Sequence, residues 1–145
     1  MDENIALGSQ FRAIELELEK QINRHLSSIN LSNAQIIVLG FLRMQPEYTA
    51  TQKVIQDFLG IAQPTAVRLL RSMEQKGFIK CTIRKDLGGK KQVTLLQTDP
   101  AFWDQVERFD HATKAKLQKG FTQEELVLFD SFLKRAYANL TDETE

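Results

Sequence analysis

The stretch Thr51–Thr98, TQKVIQDFLGIAQPTAVRLLRSMEQKGFIKCTIRKDLGGKKQVTLLQT, changes its structural period part-way along. Val54, Ile55, Phe58 and Leu59 fall on one face of a short helix. Thr51 offers a hydroxyl to cap its start, and Gly60 tolerates the positive φ that ends it. Ile61 and Ala62 make a turn. Gln63 then sits at the cap position of a second helix, and Pro64 suits its first turn, where a missing N–H costs nothing. Val67, Leu70 and Met73, with Ala66 and Leu69 beside them, are expected to face inward. Thr65, Arg68, Ser72 and Gln75 are expected to face outward, and Gly77 stops the helix.

Beyond Gly77 the period shortens. Phe78, Ile79, Cys81 and Ile83 alternate as a strand, and Val93 and Leu95 mark its returning partner. Between them, Arg84-Lys85-Asp86-Leu87-Gly88-Gly89-Lys90-Lys91 is a turn with cations on both arms, and its two glycines permit a tight hairpin. Helix, turn, helix, strand, basic hairpin and strand in that order predict a winged helix-turn-helix, a mainly α fold with a small β-hairpin wing. Residues 61–91 carry eight lysines and arginines against Glu74 and Asp86, a net +6. The whole chain sums to zero, so the rest carries −6. One cationic segment on a neutral chain is compatible with docking on phosphate.

The flanks extend the helical pattern. A first long helix is expected from about Ile5 to Ile29, with Phe11, Ile14, Leu18, Ile22 and Leu26 forming one apolar stripe. Ser32 and Gln35 form a capping box for the next helix, whose Ile36, Leu39, Gly40 and Leu42 point to a core before Pro46 ends it. Thr49 and Ala50 are expected to pair briefly with the wing. After the wing, Pro100 opens a fifth helix that Gly120 closes. Thr122 and Glu125 form another box, and Leu126, Phe129, Leu133, Ala136 and Leu140 step by 3, 4, 3 and 4, a heptad-like seam. These stripes exceed what one small winged core can cover, which predicts a homodimer; the alternative is a monomer that packs its last helix on its first.

At 145 residues the chain is expected to be one domain, and at 42% hydrophobic it can bury an ordinary core. A single cysteine excludes an intrachain disulfide and fits a reducing compartment. The start, MDENIALGSQ, lacks the charged and apolar regions of a secretory signal. The longest apolar run, Ile36–Leu42, falls far short of the ~20 residues of a membrane helix. A cytoplasmic protein without membrane contact is expected.

The pieces LSNAQIIVLGFLR (Leu31–Arg43), the helix-turn-helix at Gln52–Gly77, MEQKGFI (Met73–Ile79) and QVTLLQT (Gln92–Thr98), with long flanking helices, resemble the MarR family of transcription regulators. The resemblance spans nearly the whole chain. It implies a single domain over residues 1–145, with dimerisation helices at 1–30 and 100–145 and a DNA-binding lobe at 31–98. It further implies a homodimer on a pseudo-palindromic operator of double-stranded DNA, a repressor released by a small aromatic effector, and no cofactor. The second helix of the motif would enter the major groove with Gln63, Pro64, Thr65, Arg68 and Arg71 toward base edges. The wing cations Arg84, Lys85, Lys90 and Lys91 would lie along phosphates or reach a minor groove. An effector would lie among His25, Phe41, Phe102, Trp103 and Phe109, although each of these reads first as plain core.

The sequence departs from the family in its wing. Cys81 stands where the family carries an arginine, and Asp86 is followed by Leu87-Gly88-Gly89-Lys90-Lys91 with no arginine. The ion pair that braces the family's wing is therefore expected to be missing, or remade with Lys90 or Lys91. Cys81 reads either as a redox switch or as a small apolar filler. His25 and His111, with Glu107 and Asp110, lack the spacing of a metal site and read as surface or interface residues, so no metal is assigned. No nucleophile–base pair or phosphate loop points to an enzyme. The competing function is a protein-interaction module that keeps the winged helix without sequence-specific DNA binding; a poorly cationic motif would favour it, and this motif is cationic.

Overall fold

A computed structural model of the chain describes residues 6–144. Six α-helices and a three-stranded sheet follow the order α1 (Leu7–Leu26), α2 (Asn33–Arg43), β1 (Thr49–Thr51), α3 (Gln52–Leu59), α4 (Gln63–Gln75), β2 (Ile79–Arg84), β3 (Lys90–Leu95), α5 (Pro100–Gln118) and α6 (Gln123–Thr141). The chain divides between Phe109 and Asp110 into two compact units, so α5 belongs to both.

In the first unit the sheet runs β1-β3-β2, antiparallel throughout. The expected pairing of Thr49 and Ala50 is present: they lie opposite Thr94 and Val93. The two threonine hydroxyls share a hydrogen bond of 3.0 Å. β2 and β3 form the wing from Ile79 opposite Leu95 out to Arg84 opposite Lys90. A 3-10 turn at Lys85–Leu87 and two glycines at positive φ, Gly88 and Gly89, close it. The connection is therefore longer than a tight two-residue turn.

The core lies where α2, α3 and α4 meet the sheet and the start of α5. Val38, Leu39, Leu42, Ile55, Leu70, Met73, Ile79, Val93, Leu95 and Trp103 form one buried cluster. Within α4 the buried residues are Ala66, Leu70 and Met73, spaced i, i+4, i+7. Val67 was expected inside but is half-buried, because a stripe centred on Leu70 turns it toward the flank. Ser72, expected outside, is half-buried for the same reason. In α2 the stripe runs through Gln35, Val38, Leu39 and Leu42, which leaves Ile36 and Gly40 half-buried. In α3 only Ile55 of the expected face is buried; Val54 and Phe58 are exposed, and Phe58 stacks on Phe41 with centroids 4.4 Å apart.

Local chemistry sets the helix ends. Ser32 and Gln35 form the expected capping box, Thr51 accepts the Val54 N–H, and Gly60 ends α3 at φ 64°. The cap of α4 is Ala62 and not Gln63, which is the first helical residue; Ala62 makes no side-chain cap bond. α1 ends at Leu26 and continues as a 3-10 turn to Ile29, where Asn30 turns the chain with φ 57°. A start at Ile5 lies outside the described residues. Ser32→Ala removes the oxygen that accepts the Gln35 N–H and is expected to lower stability by ~1 kcal/mol in chemical denaturation. A loss below a few tenths would place the stabilisation elsewhere.

Of the apolar stripe on α1, Leu26 is buried, Leu18 and Ile22 are half-buried, and Phe11 and Ile14 are exposed. In the second unit, Thr122 and Glu125 cap α6 as expected. The seam on α6 is open: Phe129, Leu133 and Leu140 are exposed, as are Val127, Leu128, Phe132 and Tyr137 around it. Among the described residues, no helix is long and apolar enough to cross a membrane.

Candidate nucleic-acid interface

Three neighbouring elements of the first unit supply the surface. The start of α4 exposes Gln63, Pro64 and Thr65, and Arg68 and Arg71 follow on its exposed side. Pro64 at the start fixes φ there without removing a needed N–H. The burial of Ala66, Leu70 and Met73 leaves the opposite side of α4 to these polar groups.

A groove of about 740 Å³ runs between α3, the start of α4 and the wing, lined by Lys53, Gln56, Gln63, Val67, Lys90 and Lys91 among others. It brings Gln63 together with two of the four wing cations. Lys85 stands exposed at the wing's turn. The geometry also adds two residues that the sequence reading did not select, Lys53 and Gln56 on α3. Lys53 is paired with Asp57 at 2.8 Å, an ordinary i,i+4 surface pair, and lies outside the cationic window. Its spacing carried no signal; only the folding of α3 beside the wing brings it to the groove.

The wing is braced, but not as expected. Asp86 is held by Arg84 and not by Lys90 or Lys91. The guanidinium donates from Nε to Oδ1 at 2.7 Å and from Nη2 to Oδ2, while Nη1 donates to Gln92 Oε1 on β3 at 3.3 Å. The hydrogen bond from Arg84 holds the Asp86 carboxyl below the usual carboxylate range, with charge attraction adding to it. A depressed carboxylate pKa means the brace is complete above that range and is lost only as pH falls beneath it. The brace points the planar fork of Arg84 at its own turn, so Lys85, Lys90 and Lys91 are the remaining cations about the wing's turn.

Cys81 lies half-buried on β2, opposite Val93, and its N–H donates to the Glu74 carboxylate of α4. Burial raises the thiol pKa, and the Glu74 charge raises it further against a smaller opposing effect of Lys91. A thiol so placed stays protonated at neutral pH, which favours the filler role over the sensor. Alkylation by iodoacetamide in the folded protein at pH 7 is expected to run severalfold slower than in the denatured chain. Equal or faster reaction would restore the redox reading.

The expected effector residues do not gather in one place. Phe41 stacks on Phe58; Phe102 lies between Phe78, at 5.7 Å, and Trp103, at 5.2 Å; His25 stacks on Phe109 at 4.8 Å. Trp103 is buried, donates from Nε1 to the Gln97 carbonyl at 2.9 Å, and lines a cavity of about 190 Å³ with Arg43, Tyr48 and Asp104. The Arg43 guanidinium lies 4.5 Å from the Trp103 ring centre and pairs with Glu107 at 3.1 Å. Glu107 and His25 thus already have partners. Among the described residues, no group of three or more His, Cys, Asp or Glu could hold a metal ion.

Residues 29–86, which hold the helix-turn-helix and the first arm and turn of the wing, match the MarR family. Solved structures share the chain's fold over most of its length. A crystal structure of MarR superimposes with a TM-score of 0.83 at 22% identity, covering 97% of this chain and 94% of that one. The DNA complex of S. aureus MepR gives 0.79 at 22% identity, covering 94% and 99%. A cysteine-to-serine mutant of E. coli MarR complexed with operator DNA gives 0.79 at 21% identity, covering 92% and 95%. MarR-family proteins are transcription regulators and not enzymes.

Proposed function

We propose that this chain is a homodimeric, sequence-specific DNA-binding transcription regulator, a cytoplasmic repressor released by a small aromatic effector. The observation that carries the reading is the groove joining Gln63 of α4 to Lys90 and Lys91 of the wing. A helix start that exposes Gln63, Thr65 and Arg68 suits base edges: glutamine pairs with adenine and arginine with guanine, each through two hydrogen bonds. The lysines beside it suit phosphate oxygens, which hold the register without reading sequence. Relatives of the same fold, MepR and MarR, have been crystallised with DNA.

The dimer rests on exposed apolar rows, Phe11 and Ile14 on α1 and Phe129, Leu133 and Leu140 on α6. Such rows are uncommon on a lone soluble surface. Two copies would present two α4 helices to half-sites about one DNA turn, ~34 Å, apart. An effector changes DNA affinity only if it binds one spacing of the two helices better than another.

Fluorescence anisotropy on a duplex from the protein's own upstream region, against a scrambled duplex and over several salt concentrations, tests the proposal. Preference for the first duplex with a steep salt dependence is expected. Absence of binding to any duplex would sink the reading and favour a protein partner.

A further inference from the structure

The cation Lys76 does not face the groove. It is the C-cap of α4, and its Nζ donates to the Asn30 carbonyl at 2.7 Å and to Gln35 Oε1 at 3.4 Å. Gln35 is buried at the start of α2, 5% exposed, and both ends of its amide are hydrogen-bonded. Its Oε1 also accepts the Ser32 N–H at 3.1 Å, and its Nε2 donates to Ser72 Oγ of α4 at 3.2 Å. Two side chains thus bind the end of α4 to the capping box of α2 and to the turn that follows α1.

We propose that Gln35 and Lys76 form a latch that sets the tilt and rotation of α4, and that both are positioning residues for base reading by its far end. The inference rests on the DNA-binding reading above. Apolar packing around Leu70 and Met73 is non-directional and tolerates small rotations of a helix. Hydrogen bonds are directional and do not. Thirteen positions separate Lys76 from Gln63, which at the α-helical rise is a lever of roughly 20 Å. A tilt of roughly 5° about Lys76 would move Gln63 by roughly 2 Å, enough to break a two-bond contact with a base. The ammonium also sits where the helix dipole favours a cation. One partner, the carbonyl of Asn30, belongs to the backbone turn that follows the 3-10 turn, held at φ 57°, and the other to the buried Gln35.

The test compares wild type, Lys76→Met and Lys76→Arg on the preferred and the scrambled duplex at several salt concentrations, with thermal unfolding as a check. Lys76→Met keeps the alkyl stem and loses both donated bonds; Lys76→Arg keeps a donor. The latch predicts that Lys76→Met weakens the preferred duplex about tenfold, as for one misaligned base contact, and leaves the scrambled duplex within about twofold. The salt slope stays at the wild-type value, and Lys76→Arg recovers most of the loss. Equal losses on both duplexes, with a slope shallower by about one, would make Lys76 a phosphate contact and overturn the latch. Equal losses at unchanged slope would reduce it to a stability effect, and unchanged binding would remove it; either overturns the proposal. A wild type with no preference between duplexes fails at the earlier step, in the arm without substitutions, and takes the latch with it.

Discussion

Leu70→Ala is expected to lower the free energy of unfolding by about 2–5 kcal/mol, the range for emptying a fully packed leucine site. Leu70 is 0% exposed and sits in the cluster that joins α2, α3, α4, the sheet and Trp103. Its neighbours are held from several elements at once, so they cannot all move in to fill the space, and the removed methyl groups leave a cavity. Val67→Ala, one turn away but half-buried at the groove wall, is expected to lose less than half as much. Urea denaturation at one fixed protein concentration checks both, since a dimer's apparent stability depends on concentration. A loss below about 1 kcal/mol for Leu70→Ala would mean that α4 is not anchored through this residue. The consequence reaches function, because the same helix carries Gln63 and Arg68 on its other side.

Arg68→Ala is expected to weaken the preferred duplex by about 1–3 kcal/mol, roughly 5- to 150-fold, if its guanidinium makes the two-bond guanine contact proposed for it. Arg68 is exposed on α4, so thermal unfolding is expected to change by less than about 0.5 kcal/mol. The loss is therefore one of recognition and not of folded protein. Affinity for the scrambled duplex should change much less, because a base contact carries sequence information and a phosphate contact does not. Lys90→Ala gives the contrast: a nearly uniform loss on both duplexes and a salt slope reduced by about one. Wild-type binding that survives Arg68→Ala unchanged would move base reading to Gln63 and Arg71.

Periodicity served well wherever a single local rule governs the backbone. Thr51 before Val54, Ser32 before Gln35 and Thr122 before Glu125 are caps because a hydroxyl meets an N–H three residues on, whatever the rest of the chain does. Gly60, Gly77 and Gly120 end or follow helices at positive φ for an equally local reason. The reading faltered where two helical faces compete. Val67 and Leu70 are both apolar and three apart, and which of them lies at the centre of the stripe depends on where α2 and β2 stand. In the wing, Lys90 and Lys91 were as plausible partners for Asp86 as Arg84 when only composition was known. The 3-10 turn at Lys85–Leu87 decided it by bringing the Arg84 guanidinium onto the Asp86 carboxylate, with Gln92 on β3 as a further acceptor.

The candidate surface divides the same way. That Gln63, Thr65, Arg68 and the wing lysines face outward followed from their polarity beside an apolar stripe. That Lys53 and Gln56 stand in the same groove did not, since α3 comes beside the wing only on folding, through its packing against β3 and the pairing of β1 with β3. The amino-acid sequence alone determined the elements, their caps and the sign of the charge on the second helix and wing, because these depend on neighbours within a turn or a hairpin. Tertiary structure alone decided which cations remain available and which are bound. Lys76 is held by Asn30 and Gln35, which lie 46 and 41 residues away. A charge is fixed by residue type, but its direction is fixed by the acceptors that folding brings to it.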